Sequence, residues 1–332
     1  MSDQPHEAPS GPDLSAAFRS PIARSPTSLQ SWSDRVFRIV AQTFGVAVVL
    51  LLAGIVVQVL RHAGPAMAEH GLGFLGRSRW DTNGDTYGVL PQIMGTLYTS
   101  VLALVLGGIL GLTVALVTSQ GFIGKRWELG MKNIIELLAA IPSVVYGLWG
   151  IFVLIPAVRP AAAWLHAHFG SFPLFSTELS GPGILPAALV LAIMILPTVT
   201  AVSREALAAV PKRLPAAAYG LGATRWEVIF GVVLPTASGG IFGALVLGFG
   251  RALGETMALA MLVGNANDFG WSLFSPGTTL AALLANHFPE ADKVEVGALM
   301  YAAVVLLLIT LAVNAMGSLI MLRTTRELKG LS

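Results

Sequence analysis

The sequence predicts an all-α integral membrane protein with six transmembrane helices. Of its 332 residues, 55% are hydrophobic and 11% are charged, and the mean hydropathy is +0.74. These values lie outside the range of ordinary soluble domains. A helix needs about 20 apolar residues to cross about 30 Å of hydrocarbon. Six stretches are long enough to do so: residues 39–60, 93–118, 134–158, 184–202, 240–263 and 296–322.

Lysine and arginine predict the orientation of these spans. Of 20 basic residues, 14 fall in the two terminal tails, the second-to-third loop and the fourth-to-fifth loop, whereas 5 fall in the opposite loops. Because positively charged short loops stay cytoplasmic, both termini are expected in the cytoplasm. The same spread along membrane flanks explains the pI near 9.0 without a nucleic-acid-binding patch.

The chain divides into four regions by composition. Residues 1–36 are rich in Ser, Pro and Ala and predict a disordered cytoplasmic tail. Residues 37–92 hold the first span and a long extracytoplasmic loop, and residues 93–323 hold the other five spans. Residues 324–332 form a short cytoplasmic tail.

Two charged residues, Arg251 and Glu255, fall near the middle of the fifth predicted span. A charge at the membrane midplane costs about 2.5 to 3.5 kcal/mol on insertion scales, so neither side chain is expected to face lipid. In a continuous helix their spacing of four places them on one face, where they can pair. The pair either locks helices together or lines a protected pathway. Glu136 is a weaker intramembrane candidate, because Lys132 one turn earlier favours an interfacial ion pair.

The fourth-to-fifth loop, residues 204–235, predicts a compact cytoplasmic knob. Pro215 is suited to the first turn of a short helix that ends at Gly220 or Gly222. Thr224 and Glu227 then form a capping box that starts a second helix. Such a knob fits a groove in a cytoplasmic partner; an amphipathic hairpin lying on the membrane surface is the alternative.

The sequence contains no pattern for catalysis, for a cofactor or for a metal. There is no cysteine, and His166 and His168 are the one close histidine pair, expected to be solvated in a loop. The phosphate-binding pattern GxxxxGK[ST] does not occur, since "GFIGKR" has the wrong glycine spacing. We therefore expect no catalytic residue, no bound cofactor and no ATP hydrolysis by this chain.

The segment "AAAYGLGATRWEVIFGVVLP", residues 216–235, resembles the "EAA" loop of ABC-importer permeases. Five residues fall in register with the family pattern: Ala217, Ala218, Gly222, Leu234 and Pro235. Two positions depart from it, with Ala216 in place of the usual Glu and Val232 in place of Ile. The lost Glu removes one ionic contact that such loops use against the ATPase subunit.

Three further segments resemble the permeases of high-affinity phosphate importers. They are "LGFGRALGETMALAMLVGN" (residues 247–265), "YGVLPQIMGTLYTS" (87–100) and "ELLAAIPSVVYGLWG" (136–150), so the resemblance covers about residues 72–322. The sister permease PstA shares RALGET, and a PstA-like permease or an importer of a related oxyanion is the alternative. Met257 onward and residues 87–100 favour the first assignment.

This resemblance implies an architecture, partners and site residues. Residues 93–323 would form a type I ABC importer permease core in the bacterial inner membrane. The partners would be a PstA-like sister permease, a PstB-like ATPase homodimer that uses ATP, and a PstS-like extracytoplasmic phosphate-binding protein. The intramembrane charges suggest a hypothesis of their own: Arg251 contributes positive potential along a pathway for an oxyanion, Glu255 holds Arg251 in place, and Thr256 adds a hydroxyl. An ion-coupled secondary transporter or a non-transporting scaffold remains as an alternative without an ATPase.

Overall fold

The computed structural model describes residues 28–82 and 86–329, and it describes side chains within 32–82 and 86–321. The helices are α1 (Ser28–His70), α2 (Gly73–Gly76), α3 (Leu90–Ser119), α4 (Lys125–Ala140), α5 (Ser143–Trp149), α6 (Ile155–Phe169), α7 (Ile184–Ala208), α8 (Arg213–Gly220), α9 (Arg225–Val228), α10 (Leu234–Leu253), α11 (Met257–Leu262), α12 (Leu280–His287) and α13 (Lys293–Lys329). Short π-helical turns, Gly150–Leu154 and Ile229–Val233, join α5 to α6 and α9 to α10.

Six helical stretches in the described residues are long and apolar enough to span a membrane, which confirms the predicted all-α, six-span fold. Their bounds are Trp32–His70, Leu90–Ser119, Ser143–Phe169, Ile184–Ala208, Arg225–Leu253 and Lys293–Met321. The bounds predicted for the third span, 134–158, are wrong, because the helix is interrupted at Pro142 and the spanning stretch begins at Ser143. The fifth, 240–263, is wrong because its helix ends at Leu253.

The boundaries predicted for the two tails differ from the ends of the first and last helices. Residues 1–27 of the predicted disordered tail lie outside the described residues, but residues 28–36 are already helical in α1. At the other end α13 continues through Lys329, past the boundary predicted at residue 323. The segment after residue 323 contains neither Pro nor Gly before Gly330, so nothing in its composition stops the helix.

Contacts divide the chain into two units, residues up to Val57 and residues from Gln58 onward. The described part of the first unit is a single apolar helix with most of its side chains exposed. In the second unit α7 is the most buried span, with 67% of its apolar window inside the protein. The second unit holds the site described below.

Glycines allow α3 and α10 to approach α7 closely. A methyl group at Gly107 would lie 2.7 Å from the Ala192 carbonyl oxygen, and one at Gly248 would lie 2.8 Å from a Val199 methyl. Real side chains essentially never approach so closely, so these positions require glycine. The small residues of the predicted spans therefore act as packing surfaces, as small-xxx-small faces do in membranes.

Aromatic and polar contacts join three segments of the second unit near the start of α3. The rings of Phe74 and Tyr301 stack with their centroids 4.3 Å apart. The buried Glu295 carboxylate accepts a hydrogen bond from Trp80 Nε1 at 3.0 Å and lies 3.0 Å from His287 Nδ1. These contacts join the loop before α3 to α12 and α13, because buried polar groups require partners.

Candidate functional site

The fifth spanning helix ends two residues after Arg251. Helix α10 stops at Leu253, and Gly254 follows in a non-helical conformation, with φ −96° and ψ 2°. Glycine weakens a helix at this position because it has the highest backbone entropy to lose. Arg251 consequently lies in the last turn, where the helix dipole favours a cation. It is exposed on the surface of the chain.

The predicted pairing of Arg251 with Glu255 is wrong. The two residues do not lie on one continuous helix, and the ion pairs among the described residues do not include them. Glu255 is half-buried, and its Oε1 accepts a hydrogen bond from the Ala258 amide at 3.4 Å, at the start of α11. Thr256 Oγ1 donates to the Gly254 carbonyl at 3.2 Å. These local bonds compete with helix continuation.

A second interruption separates α4 from α5. Ile141 adopts an extended conformation, φ −70° and ψ 128°, as the residue before a proline prefers. Pro142 has no amide hydrogen, so the i→i−4 bond to Leu138 is absent. The buried Tyr146 hydroxyl donates instead to the Leu138 carbonyl at 2.8 Å. A neighbouring side chain thus satisfies the freed carbonyl, as helix breaks at membrane depth require.

The two interruptions lie side by side because α5 packs directly on α11. A methyl group at Gly147 would lie 2.7 Å from Met261 Sδ and 3.5 Å from Ala258 Cα. Sequence reasoning missed Tyr146, although a proline followed one turn later by a hydrogen-bonding aromatic residue was a usable signal.

An apolar groove lies next to Tyr146. Its volume is about 330 Å³. The lining residues are Leu138, Ile141, Val145, Tyr146, Trp149 and Ile193. Two of them, Val145 and Trp149, are exposed to 49% and 40%. Spanning segments with this much open apolar surface are suited to contact lipid or another membrane subunit.

Glu136 forms the interfacial pair that its spacing predicts. Lys132 Nζ and Glu136 Oε1 are 3.7 Å apart on α4, and both side chains are substantially exposed, 44% and 65%. Exposed pairs of this kind contribute little to stability. Glu136 is therefore on an exposed helix surface, away from the continuous span in which it was predicted.

The knob between the fourth and fifth spans forms largely as predicted. Helix α8 contains Ala216, Ala217 and Ala218, and Gly222 follows it with φ +88°, a conformation that favours glycine. The Thr224 and Glu227 capping box is present, with the Thr224 amide donating to Glu227 Oε2 at 2.7 Å.

The base of the knob packs on the spans beneath it. Val228 and Val233 are buried against α3 and α7. Leu234 packs at the edge of the same cluster, and Pro235 occupies the first turn of α10. The exposed tip carries Leu221, 90% exposed. The knob therefore has a buried base and an exposed apolar tip.

Comparison with known proteins places the chain in a family of transport permeases. Residues 107–324 match the family model described as "Binding-protein-dependent transport system inner membrane component". The chain belongs to this family, whose members are inner-membrane components of transport systems.

Relatives within the family carry a more specific name. The "Phosphate transport system permease protein PstC" of Pasteurella multocida is 38% identical over 303 residues, which is 89% of this chain and 93% of that protein. The PstC proteins of Xylella fastidiosa and Haemophilus influenzae are each 36% identical, over 89% and 91% of this chain and 92% and 96% of their own lengths.

Solved structures support the fold. A permease of the bacterial alginate ABC transporter, in complex with its pentasaccharide-bound periplasmic protein, superposes with a TM-score of 0.57 over 87% of this chain and 98% of its own. A chain of the MetNI methionine ABC transporter gives 0.51 over 71% and 95%. Their identities are 16% and 18%. The likeness therefore concerns architecture, that of ABC importer permeases.

Proposed function

We propose that this chain is the permease subunit of an ATP-driven importer that moves inorganic phosphate into the cytoplasm. The supporting observation is its 36–38% identity, over about nine-tenths of its length, to phosphate transport permeases. The family membership and the six spans agree with a subunit of a larger transporter. Phosphate is the proposed substrate because these relatives are named as phosphate transport permeases.

Arg251 supplies the positive potential of the pathway. It lies in a spanning segment, is exposed, and makes no hydrogen bond or ion pair with the described residues. Leaving a guanidinium against lipid costs several kcal/mol, so the exposed Arg251 requires a polar surface opposite it. A pathway shared with a second membrane subunit provides that surface. The planar guanidinium matches the geometry of a phosphate oxyanion.

Glu255 and Thr256 have a role that differs from the one predicted from the sequence. Glu255 accepts a hydrogen bond from the Ala258 amide, and Thr256 donates one to the Gly254 carbonyl. Both residues therefore shape the turn between α10 and α11. That turn fixes where α10 ends, and hence where Arg251 is presented. The Glu255 carboxylate also limits how tightly an anion binds nearby, and a permeation site must release its ion.

The remaining subunits follow from the same proposal. ATP is hydrolysed by a separate PstB-like ATPase homodimer, into which the knob docks from the membrane side, and this chain binds no cofactor. A PstA-like sister permease completes the pathway, and a PstS-like protein delivers phosphate from outside. Both chain termini lie in the cytoplasm, because the basic loops of the sequence stay on that side.

Reconstitution tests this function. The chain is incorporated into liposomes with the candidate ATPase, sister permease and binding protein, and uptake of labelled phosphate and sulfate is measured with and without ATP. We expect ATP-dependent uptake of phosphate in preference to sulfate. Uptake driven by an ion gradient without ATP would instead identify a secondary transporter, and preference for sulfate would refute the assigned substrate.

A further inference from the structure

The inner end of α3 is closed by a residue from the knob. Helix α3 ends at Ser119, and Gly121 follows with φ +65°, a common way to end a helix. The last carbonyls of such a helix have no partner within the helix. Arg225 Nη2 donates a hydrogen bond to the Gln120 carbonyl oxygen at 2.6 Å. A cation at this end also complements the helix dipole.

The same guanidinium makes a second contact with the turn between α3 and α4. Its Cζ lies 3.8 Å above the centroid of the Phe122 ring, a cation–π geometry. The Phe122 ring is in turn 5.2 Å from the Trp226 ring. Arg225 thus contacts both the carbonyl end of α3 and the aromatic residue that precedes α4. One planar group serves both contacts, which the point charge of a lysine does not reproduce.

The knob holds Arg225 firmly on its own side. Arg225 is the first residue of α9, directly after Thr224 of the capping box. Buried Val228, one turn later, packs in the same apolar cluster as Ala115 of α3. The position of the guanidinium is therefore set by the knob.

Helix α4 links this contact to the site near Arg251. It begins at Lys125, three residues after Phe122, and runs to Ala140. Near its end the Leu138 carbonyl accepts a hydrogen bond from the Tyr146 hydroxyl. Tyr146 lies on α5, which packs on α11, the helix that follows Arg251 and its turn. A continuous set of contacts thus leads from the knob through Arg225, Phe122 and α4 to the first interruption. Contiguous packed elements of this kind can carry coupling between distant sites.

We propose that Arg225 is a positioning residue that transmits movement of the knob to α4, and so couples ATP hydrolysis to phosphate transport. The inference rests on the proposed function and adds the route by which the ATPase acts on the pathway. When the knob moves, Arg225 pulls the turn that contains Gln120 and Phe122. Helix α4 then shifts, and with it the hydrogen bond that closes the interruption beside Arg251.

The coupling ratio of the reconstituted transporter tests this role. Phosphate uptake and ATP hydrolysis are measured in the same liposomes for wild type, Arg225→Ala, Arg225→Lys and Phe122→Leu. Arg225→Ala is expected to raise the ATP hydrolysed per phosphate imported by at least about fivefold, the lower end of typical coupling between sites. Arg225→Lys and Phe122→Leu should raise it less, because each keeps one of the two contacts.

Arg61→Ala is the control. Arg61 is an exposed arginine of α1, outside the knob, without a hydrogen bond or ion pair to the described residues. It should keep the wild-type ratio.

Two results would overturn the inference. An unchanged ratio in Arg225→Ala would show that the contact transmits nothing. A parallel fall in hydrolysis and uptake, with less ATPase bound to the complex, would make Arg225 a docking residue instead. Either result leaves the proposed function intact if the wild-type complex imports phosphate with ATP. Failure of the wild-type complex to do so would refute the function itself.

Discussion

The two interruptions of the spanning helices differ in the chemistry that closes them. At Pro142 the break is neutral, and the buried Tyr146 hydroxyl satisfies the freed carbonyl of Leu138. At Gly254 the turn is closed by Glu255 and Thr256, while Arg251 stays exposed in the preceding turn. At the first interruption, the carbonyl freed by the break has its hydrogen-bond partner within this chain. The second presents a charge that needs a polar surface supplied from outside this chain, and for this reason we propose the transport role for Arg251.

The largest expected effect is from Arg251→Gln. It removes the exposed charge but keeps a polar side chain of similar length, so the complex should assemble normally. Hydrogen bonds to charged groups contribute about 1.5 to 3 kcal/mol, so we expect phosphate uptake to fall about tenfold or more. Uptake in reconstituted liposomes measures this. Arg251→Lys should retain more activity, and Arg61→Gln, which changes an exposed arginine of α1, should retain all of it.

A substitution in the contact between α5 and α11, where the two interruptions meet, should disturb both interruptions. Gly147→Val places methyl groups where Met261 Sδ would be 2.7 Å away, and overpacking of this kind costs about 1 to 3 kcal/mol. We expect a lower thermal unfolding midpoint and reduced uptake. Gly130→Ala is the control, because a methyl group there meets nothing within 4 Å. If Gly147→Val were as stable as the control, the contact between α5 and α11 would not hold the interruptions together.

The turn at the second interruption should depend on Glu255. Glu255→Ala removes the acceptor for the Ala258 amide, and losing a helix cap costs about 0.5 to 2 kcal/mol. Glu255→Gln keeps an acceptor oxygen and should lose less. Thermal unfolding of the purified complex measures stability, and uptake reports the presentation of Arg251. If both variants were as stable as the wild type, Glu255 would not act as a cap for the Ala258 amide.

The smallest effect is expected at the first interruption. Tyr146→Phe removes the hydrogen bond to the Leu138 carbonyl, which costs about 1 kcal/mol, and leaves the ring in place. Unfolding should shift slightly, while phosphate uptake should fall less than in Arg251→Gln. Tyr219→Phe, at a half-exposed position of the knob, serves as the control. If Tyr146→Phe lost as much uptake as Arg251→Gln, the result would contradict the assignment of the pathway role to the Arg251 charge rather than to the Tyr146 hydroxyl.

Local signals in the sequence predicted the knob correctly, because its structure depends on nearby residues. The Thr224 and Glu227 capping box spans four residues, and the glycine turn at Gly222 is set by its own backbone. The six spans were also predictable, since apolar length alone defines them.

The interruptions were not predictable in the same way. Apolar residues continue on both sides of Gly254, so hydropathy gives one span where the structure has two helices. The pairing of Arg251 with Glu255 assumed that continuity and failed with it. Tyr146 lies one turn after Pro142, so its contact with Leu138 had a local signal that the sequence reasoning did not use. The Arg225 contact with Gln120 joins residues 105 apart and depends on packing between helices, which no local pattern encodes.

The absence of cysteine from the sequence allows a direct test of the charge at position 251. Arg251→Cys introduces a single thiol, which is modified in the reconstituted complex, with cysteine-free partner subunits, by either a positively charged aminoethyl or a negatively charged sulfonatoethyl methanethiosulfonate. Phosphate uptake is then measured. We predict that uptake lost in the variant is partly restored by the positive reagent and not by the negative one. Equal effects of the two reagents, or full uptake by the unmodified variant, would contradict a pathway role for Arg251.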